Sequence, residues 1–76
     1  MQKRFRKVEG DRAAEVWLDI GLFRFKAELY EDGELLDTQK GARSKKEEIK
    51  VYLSGKDFSA LMRLEPDGNI VCTWSR

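Results

Sequence analysis

The chain of 76 residues has no histidine and only one cysteine. Without histidine it lacks the commonest general base and the commonest metal ligand of proteins. The single thiol, Cys72, cannot form an intrachain disulfide, which is typical of a reducing compartment. Facing inward on a strand, it is expected to pack as a small apolar group. We therefore expect a cytoplasmic protein with no catalytic residues, no metal site and no cofactor.

Long apolar runs are also missing. None approaches the roughly 20 residues of a membrane-spanning helix, and the charged start MQKRFRKVEGD is not followed by the apolar segment of a secretory signal. With 41% apolar and 38% charged residues, the composition is typical of one soluble globular domain with no membrane association. A core of this size supplies about 3 to 5 kcal/mol of net stability, so a homodimer would be a simple way to gain more.

Two stretches of the chain, LYEDGELLDT and LEPDGNIVCT, share one pattern. A shift of 35 residues places Val16 on Val51, and the match extends through most of both segments. Residues 14–40 and 49–75 are thus predicted to be two copies of one unit, each too small to bury its apolar face alone. Two unrelated hairpins with the same Asp-Gly turn chemistry are the alternative. Residues 41–48 would be a basic linker, and residues 1–12 a basic arm before the domain at 13–76.

Two segments alternate apolar and polar residues with the period of a half-buried strand. In the first unit the apolar positions are Phe23, Phe25, Ala27 and Leu29, and in the second they are Phe58, Ala60, Met62 and Leu64. Both segments run into the shared turn. The strand that follows the second turn is expected to place Ile70, Cys72 and Trp74 on the inner face.

The sequence defines the length of the second turn and leaves that of the first open. Pro66, Asp67 and Gly68 suit a three-residue turn followed by a bulge, because Gly68 can adopt a positive φ. In the first unit a two-residue turn at Asp32-Gly33 would bring Leu36, rather than Leu35, to the inside. A shift of one residue would reverse every side chain of that strand.

The first element of each unit can be interpreted as a helix or as a strand. Ser44 and Glu47 form a helix capping box, and residues 11–21 could be a helix that begins at Asp11. Strands are favoured because alternate residues of 14–18 superpose on those of 49–53 under the shift, whereas the helical faces do not superpose. The sequence thus predicts an all-β fold, a six-stranded barrel or sandwich of two three-stranded meanders, with an α+β arrangement, αββαββ, as the alternative.

Basic residues are concentrated ahead of each unit. Each unit also has one outward-facing aromatic residue, and the two lie at equivalent strand positions. Aromatic side chains beside lysine and arginine are surfaces on which unpaired bases stack, while the cations bind phosphates. We therefore predict a nucleic-acid-binding module. Its candidate residues are Lys3, Arg4, Arg6, Lys7, Lys40, Arg43, Lys45 and Lys46, with Trp17 and Tyr52 as the stacking residues.

A protein partner is the alternative to nucleic acid. The same aromatic residues could anchor another protein or a second copy of the chain, or they could cover a second small core together with Phe5 and Val8. The isoelectric point of 7.8 is lower than that of most nucleic-acid-binding domains. Salt distinguishes the two partners, because phosphate binding weakens steeply as ionic strength rises.

Overall fold

A computed structural model of the chain describes residues 1–44 and 46–75. The all-β prediction is confirmed, and the αββαββ alternative is wrong. No part of the described chain forms a helix long and apolar enough to cross a membrane. Its seven strands are β1 (Gln2–Glu9), β2 (Arg12–Ile20), β3 (Arg24–Glu31), β4 (Glu34–Ala42), β5 (Ile49–Ser54), β6 (Ser59–Leu64) and β7 (Ile70–Ser75).

The strands form two antiparallel sheets whose order follows the chain. β1 to β4 make a four-stranded sheet, and β5 to β7 make a three-stranded sheet. Within residues 1–44 and 46–75 no backbone ladder joins the two sheets, so the strands do not close into a barrel. The sheets instead share a single core, which corresponds to the sandwich form of the prediction.

The core is built from alternate residues of β2, β3, β5 and β6, because successive side chains of a strand point to opposite faces. Val16 and Val51 are 0% and 3% exposed, and both belong to this core. The two predicted units therefore contribute equivalent aliphatic residues to one interior. The buried members are Ala14, Val16, Leu18, Ile20, Ala27, Leu29, Val51, Leu53, Phe58, Ala60, Met62 and Leu64.

The N-terminal segment, predicted as a basic arm over residues 1–12, is a strand followed by a turn. β1 pairs with β2 along its whole length and places Phe5 opposite Val16, at the margin of the core. Gly10, with a φ of 62°, allows the tight turn between the two strands. The predicted six strands are therefore seven, because charged residues hide the alternation of this segment.

The first hairpin, whose turn length the sequence left open, has a two-residue turn. Asp32 and Gly33 both have positive φ, 48° and 85°, as a type I′ turn requires. A β-bulge then shifts the ladder between Leu29 and Tyr30, so that Asp37 rather than Leu36 lies opposite Leu29. Leu36 is half-buried, and Leu35 is exposed.

The second hairpin has the predicted three-residue turn. Glu65 N donates to Asn69 O at 2.9 Å, Gly68 N donates to Glu65 O at 3.0 Å, and Gly68 has a φ of 95°. The following strand turns Ile70, Cys72 and Trp74 toward the core, where they are half-buried. The two halves thus differ in their turns, and their origin as copies of one unit stays a prediction.

A buried carboxylate joins the two sheets. Glu31, at the end of β3, is 3% exposed. Its Oε2 accepts hydrogen bonds from the backbone N–H groups of Asp57, at 3.1 Å, and Phe58, at 3.2 Å. Gly55 lies so close to this carboxylate that a methyl group on its Cα would overlap it. The turn between β5 and β6 is thereby fastened to the four-stranded sheet.

Arg12 covers the outer side of this joint. Its guanidinium lies 3.6 Å from Glu31 Oε1 and 2.8 Å from Asp57 Oδ2, and it also pairs with Asp32. The pKa of Asp32 is lowered because its carboxylate accepts a hydrogen bond from Ala13 N and another from Arg12. The stabilisation that the Arg12–Asp32 pair provides is therefore fully present above the ordinary pKa of an aspartate. It is lost as the pH falls through the lowered value.

Candidate nucleic-acid interface

The outer face of the four-stranded sheet is the surface turned away from the core. The strand register places Arg4 and Glu28 on either side of Trp17, so these three side chains form a row across β1, β2 and β3. The row continues to Thr38 on β4, which lies opposite Glu28. Because direct neighbours across strands share a face, the register defines which charges surround the tryptophan.

Trp17 is the centre of an aromatic cluster on this face. The guanidinium carbon of Arg4 lies 4.1 Å from the centroid of the indole, a cation–π distance. The ring of Tyr30 lies 5.0 Å away at an interplanar angle of 43°, and Trp17 Nε1 donates to Glu15 Oε2 at 3.3 Å. Trp17 as a whole residue nevertheless remains 38% exposed.

Tyr30 contributes a neutral hydroxyl to the cluster. Its pKa is raised, mainly because the surrounding protein desolvates the phenol and additionally because Glu28 lies nearby. The hydroxyl is therefore protonated at physiological pH and can donate a hydrogen bond to an acceptor on the sheet surface.

Three cations lie beside the aromatic cluster. Lys26 and Lys40 are directly opposite each other on β3 and β4, and Arg24 precedes Lys26 by two positions on the same face. Lys26 Nζ is 3.9 Å from Glu28 Oε2, whereas Arg24 and Lys40 form no ion pair with any described residue. Like charges in directly opposite positions destabilise a sheet, and an anion bound between them would remove that repulsion.

Two shallow grooves connect the cluster to these cations. The groove beside Trp17 is lined by Arg4 and Glu28, and the groove beside Lys40 is lined by Arg24 and by the exposed ring of Phe23. Both grooves also include Asp19 and Lys26, so they meet at the centre of the sheet. Phe23, 75% exposed, stands at the far end of the resulting continuous surface.

Four of the predicted residues lie on this face, namely Arg4, Arg6, Trp17 and Lys40. Lys3 and Lys7 point to the opposite side of β1, in register with Leu18 and Ala14. Arg6 and Lys7 are exposed and form no ion pair with any described residue.

The predicted residues of the linker are distributed differently. Arg43 is half-buried, and its Nη1 donates to Gly21 O at 3.0 Å, so its guanidinium holds the loop between β2 and β3. Lys46 is exposed, and its backbone N donates to the Ser44 hydroxyl. Lys45 lies outside the described residues.

Tyr52 lies on the outer face of the other sheet. It is exposed on β5, where Lys50 faces Arg63 across the strand pair. Trp17 and Tyr52 therefore project from two different sheets and do not form one platform. The second small core with Phe5 and Val8 does not form either, since Phe5 packs against the main core and Val8 is exposed.

Four residues that complete this surface, Arg24, Lys26, Tyr30 and Phe23, were not predicted as part of it. Phe23 was expected on the inner face of its strand, but it precedes β3 and is 75% exposed. The alternation of β3 indicates that its charged residues face outward, opposite Ala27 and Leu29. It does not indicate which residues of β1 and β4 lie next to them. That information comes only from the register of three strand pairs.

Cys72 gives a test of the interior that is independent of any ligand. Burial raises the pKa of this thiol to about 11. A free cysteine has a pKa near 8.5, and the thiolate is the reactive form, so at pH 8 we expect iodoacetamide to modify the folded chain about 100-fold more slowly than the urea-unfolded chain. Mass spectrometry of timed samples measures both rates. Equal rates would show that Cys72 is exposed to solvent.

No protein-family model, curated protein or solved structure shows a significant match to this chain. The fold and its surface define a small all-β module with an aromatic, cation-bearing sheet face. A function for the chain is accordingly inferred from the chemistry of this face.

Proposed function

We propose that the chain is a non-enzymatic module that binds single-stranded nucleic acid on the outer face of its four-stranded sheet. The observation that carries this proposal is the aromatic cluster of Arg4, Trp17 and Tyr30 beside the opposed pair Lys26 and Lys40. Stacking on aromatic rings and guanidinium planes, together with cations along the backbone, is how proteins bind single strands.

Bases and phosphates would use different parts of the surface. A base can stack on the guanidinium plane of Arg4, or it can replace Arg4 on the indole of Trp17. The phosphates would lie across β3 and β4, where Lys26, Lys40 and Arg24 are available. Three strand spacings, about 14 Å, separate β1 from β4, so the surface accommodates a short single strand.

The acidic residues on the same face limit the affinity. Glu15, Asp19 and Glu28 lie among the cations and reduce their attraction for phosphate. A single strand offers unstacked bases that compensate for this loss, whereas a duplex offers mainly its phosphates. The proposal therefore favours single strands over duplexes. It also places the protein in the cytoplasm, where the thiol of Cys72 stays reduced.

Fluorescence titration tests the proposal with a labelled oligo-dT and with a duplex of mixed sequence. We expect the single strand to bind more tightly, and its affinity to fall steeply between about 50 mM and about 200 mM salt as counterions are released. If neither nucleic acid binds below about 100 μM at low salt, the proposal is wrong.

Replacement of Trp17 by alanine is expected to weaken oligo-dT binding about tenfold, since stacking contributes about 1 to 3 kcal/mol per base. The matched control is Tyr52→Ala, which removes an exposed aromatic residue from the other sheet and should leave the affinity unchanged. Circular dichroism melting shows whether each variant is folded. Equal losses of affinity in both variants would exclude the outer face of the four-stranded sheet as the binding surface.

A protein partner, or a second copy of the chain, is the second candidate. The loop between β2 and β3 favours it, because Leu22 is 65% exposed and Phe23 extends beside it. Apolar side chains of this kind anchor protein interfaces. Sedimentation of the isolated chain detects self-association, and an interface of this kind should be much less sensitive to salt than phosphate binding.

A further inference from the structure

β1 is an edge strand with one side unpaired. Among the described residues only β2 pairs with it. Met1 and Ile20 exchange both of their backbone hydrogen bonds, at 2.8 and 2.9 Å. In an antiparallel ladder such pairs recur at every second residue, so Lys3, Phe5 and Lys7 bond to β2.

The residues between them direct their backbone groups away from the sheet. Gln2, Arg4, Arg6 and Val8 are all exposed. Because β1 pairs only with β2 among the described strands, the outward N–H and C=O groups of these residues have no ladder partner. A row of unpaired groups of this length is a template for another strand. The charges of β1 decide which strand it can accept.

A second copy of β1 is the wrong partner. In the symmetric antiparallel register, Lys3 of one copy would face Lys7 of the other, and Arg4 would face Arg6. Like charges in directly opposite positions are destabilising. Inward-pointing lysines on an edge strand protect a protein against self-pairing in the same way.

We propose that the free edge of β1 binds an acidic, extended peptide segment by strand addition. The peptide runs antiparallel to β1, and its acidic residues face Arg4 and Arg6 on one side of the sheet and Lys3 and Lys7 on the other. A small apolar residue between them packs on Phe5. Backbone hydrogen bonds then provide affinity, and the alternating charges provide specificity.

This surface shares only Arg4 with the proposed nucleic-acid site. Strand addition uses the backbone of β1 and both of its faces, whereas nucleic acid would use the outer face from Trp17 to Lys40. Arg4 belongs to both surfaces, so an acidic peptide would reduce nucleic-acid affinity without blocking Lys26 and Lys40. The Trp17→Ala variant separates the two proposals, because it should weaken oligo-dT binding about tenfold and leave peptide binding unchanged.

The probe is the acetylated and amidated peptide Thr-Glu-Glu-Val-Glu-Glu-Thr. With its valine opposite Phe5, the two glutamates beside the valine exchange hydrogen bonds with Arg4 and Arg6. N-methylation of the two glutamates that flank the valine should weaken binding at least about tenfold, since it removes two backbone donors. N-methylation of the valine alone should be tolerated, because its N–H points away from β1. The charge is the same in all three peptides.

Amide hydrogen exchange reports the register directly. In the free chain the amides of Lys3, Phe5 and Lys7 should be protected, and those of Arg4, Arg6 and Val8 should exchange quickly. Saturation with the probe should protect the second set. No binding at about 1 mM peptide, or equal binding of the doubly N-methylated peptide, would exclude strand addition. The second result would leave only unspecific attraction between opposite charges.

A pair of variants tests the edge from the side of the protein. Arg6→Pro removes an N–H that points outward, and proline is tolerated on edge strands at such positions. Arg6→Gln removes the same charge and keeps the N–H. We expect Arg6→Pro to abolish peptide binding and Arg6→Gln to weaken it about threefold. If the two variants bind equally while both are folded by circular dichroism, the backbone of β1 takes no part in binding.

Discussion

Replacement of Phe58 by alanine is expected to leave the chain largely unfolded at 25 °C. Phe58 is 2% exposed and packs edge-to-face against Trp74, with ring centroids 6.5 Å apart. Removal of a buried phenylalanine ring costs about 3 to 5 kcal/mol. A single core of this size provides about the same net stability. Urea titration followed by circular dichroism measures the free energy of unfolding.

Phe23→Ala is the matched control for this variant. The exposed ring of Phe23 lies outside the core, so its removal should change the free energy of unfolding by less than about 0.5 kcal/mol. Phe58→Leu keeps most of the buried volume and should lose about 1 kcal/mol, which gives a measurable intermediate if Phe58→Ala does not fold. A loss below about 1 kcal/mol in Phe58→Ala would contradict the position of this ring in the core.

Truncation of Glu31 to alanine is expected to cost about 3 kcal/mol. The variant loses the acceptor for the buried N–H of Phe58 and for the N–H of Asp57, and it leaves Arg12 without one of its carboxylates. Glu34→Ala is the control, since Glu34 and Lys56 form an exposed ion pair 3.7 Å apart, and such pairs contribute about 0 to 1 kcal/mol. Similar losses in the two variants would show that the carboxylate of Glu31 is not a joint between the sheets.

Gly55 provides a second test of the position of the Glu31 carboxylate. Gly55→Ala should be strongly destabilising in the native chain, because its methyl group would overlap the carboxylate of Glu31. In the Glu31→Ala background the carboxylate is absent, and the same substitution should cost clearly less. A double-mutant cycle of the two substitutions measures this coupling. Additive losses would place Gly55 and Glu31 too far apart to interact.

The strands that build the core could be predicted from the sequence because hydrophobic periodicity encodes which residues share a face. The inner positions of β3 from Phe25 to Leu29 and of β6 from Ala60 to Leu64 are all apolar, and an Asp-Gly dipeptide follows each strand. Local turn chemistry predicted the three-residue second turn but left the length of the first turn open. The bulge that moves Asp37 opposite Leu29 depends on how β4 packs, and no local pattern of residues predicts it.

β1 could not be predicted because its strand conformation depends on pairing with β2 more than on the apolar pattern of its own residues. Only Phe5 faces the core, and every other inner position carries a charge. The grouping of Trp17 with Lys26 and Lys40 was missed for a related reason. Neighbours across strands are far apart in the sequence, and their proximity follows from register.

The sequence indicates that the Glu31 side chain points inward, although its burial was not predicted. Glu31 continues the series Phe25, Ala27 and Leu29 at the same spacing, so the strand period points its side chain inward. Glu31 also directly precedes the Asp32-Gly33 turn and lies among other acidic residues, a setting that is typical of a solvated turn. What compensates its burial is a pair of backbone amides from the turn between β5 and β6, and no sequence pattern identifies such donors in advance.

The joint at Glu31 has a consequence for how the molecule comes apart. The carboxylate belongs to the first half of the chain, and the amides that donate hydrogen bonds to it belong to the second. The two halves also fill one interior. Neither half can then persist as a folded fragment after the other is lost. Unfolding should accordingly proceed as one cooperative, two-state transition, with circular dichroism and tryptophan fluorescence reporting the same midpoint.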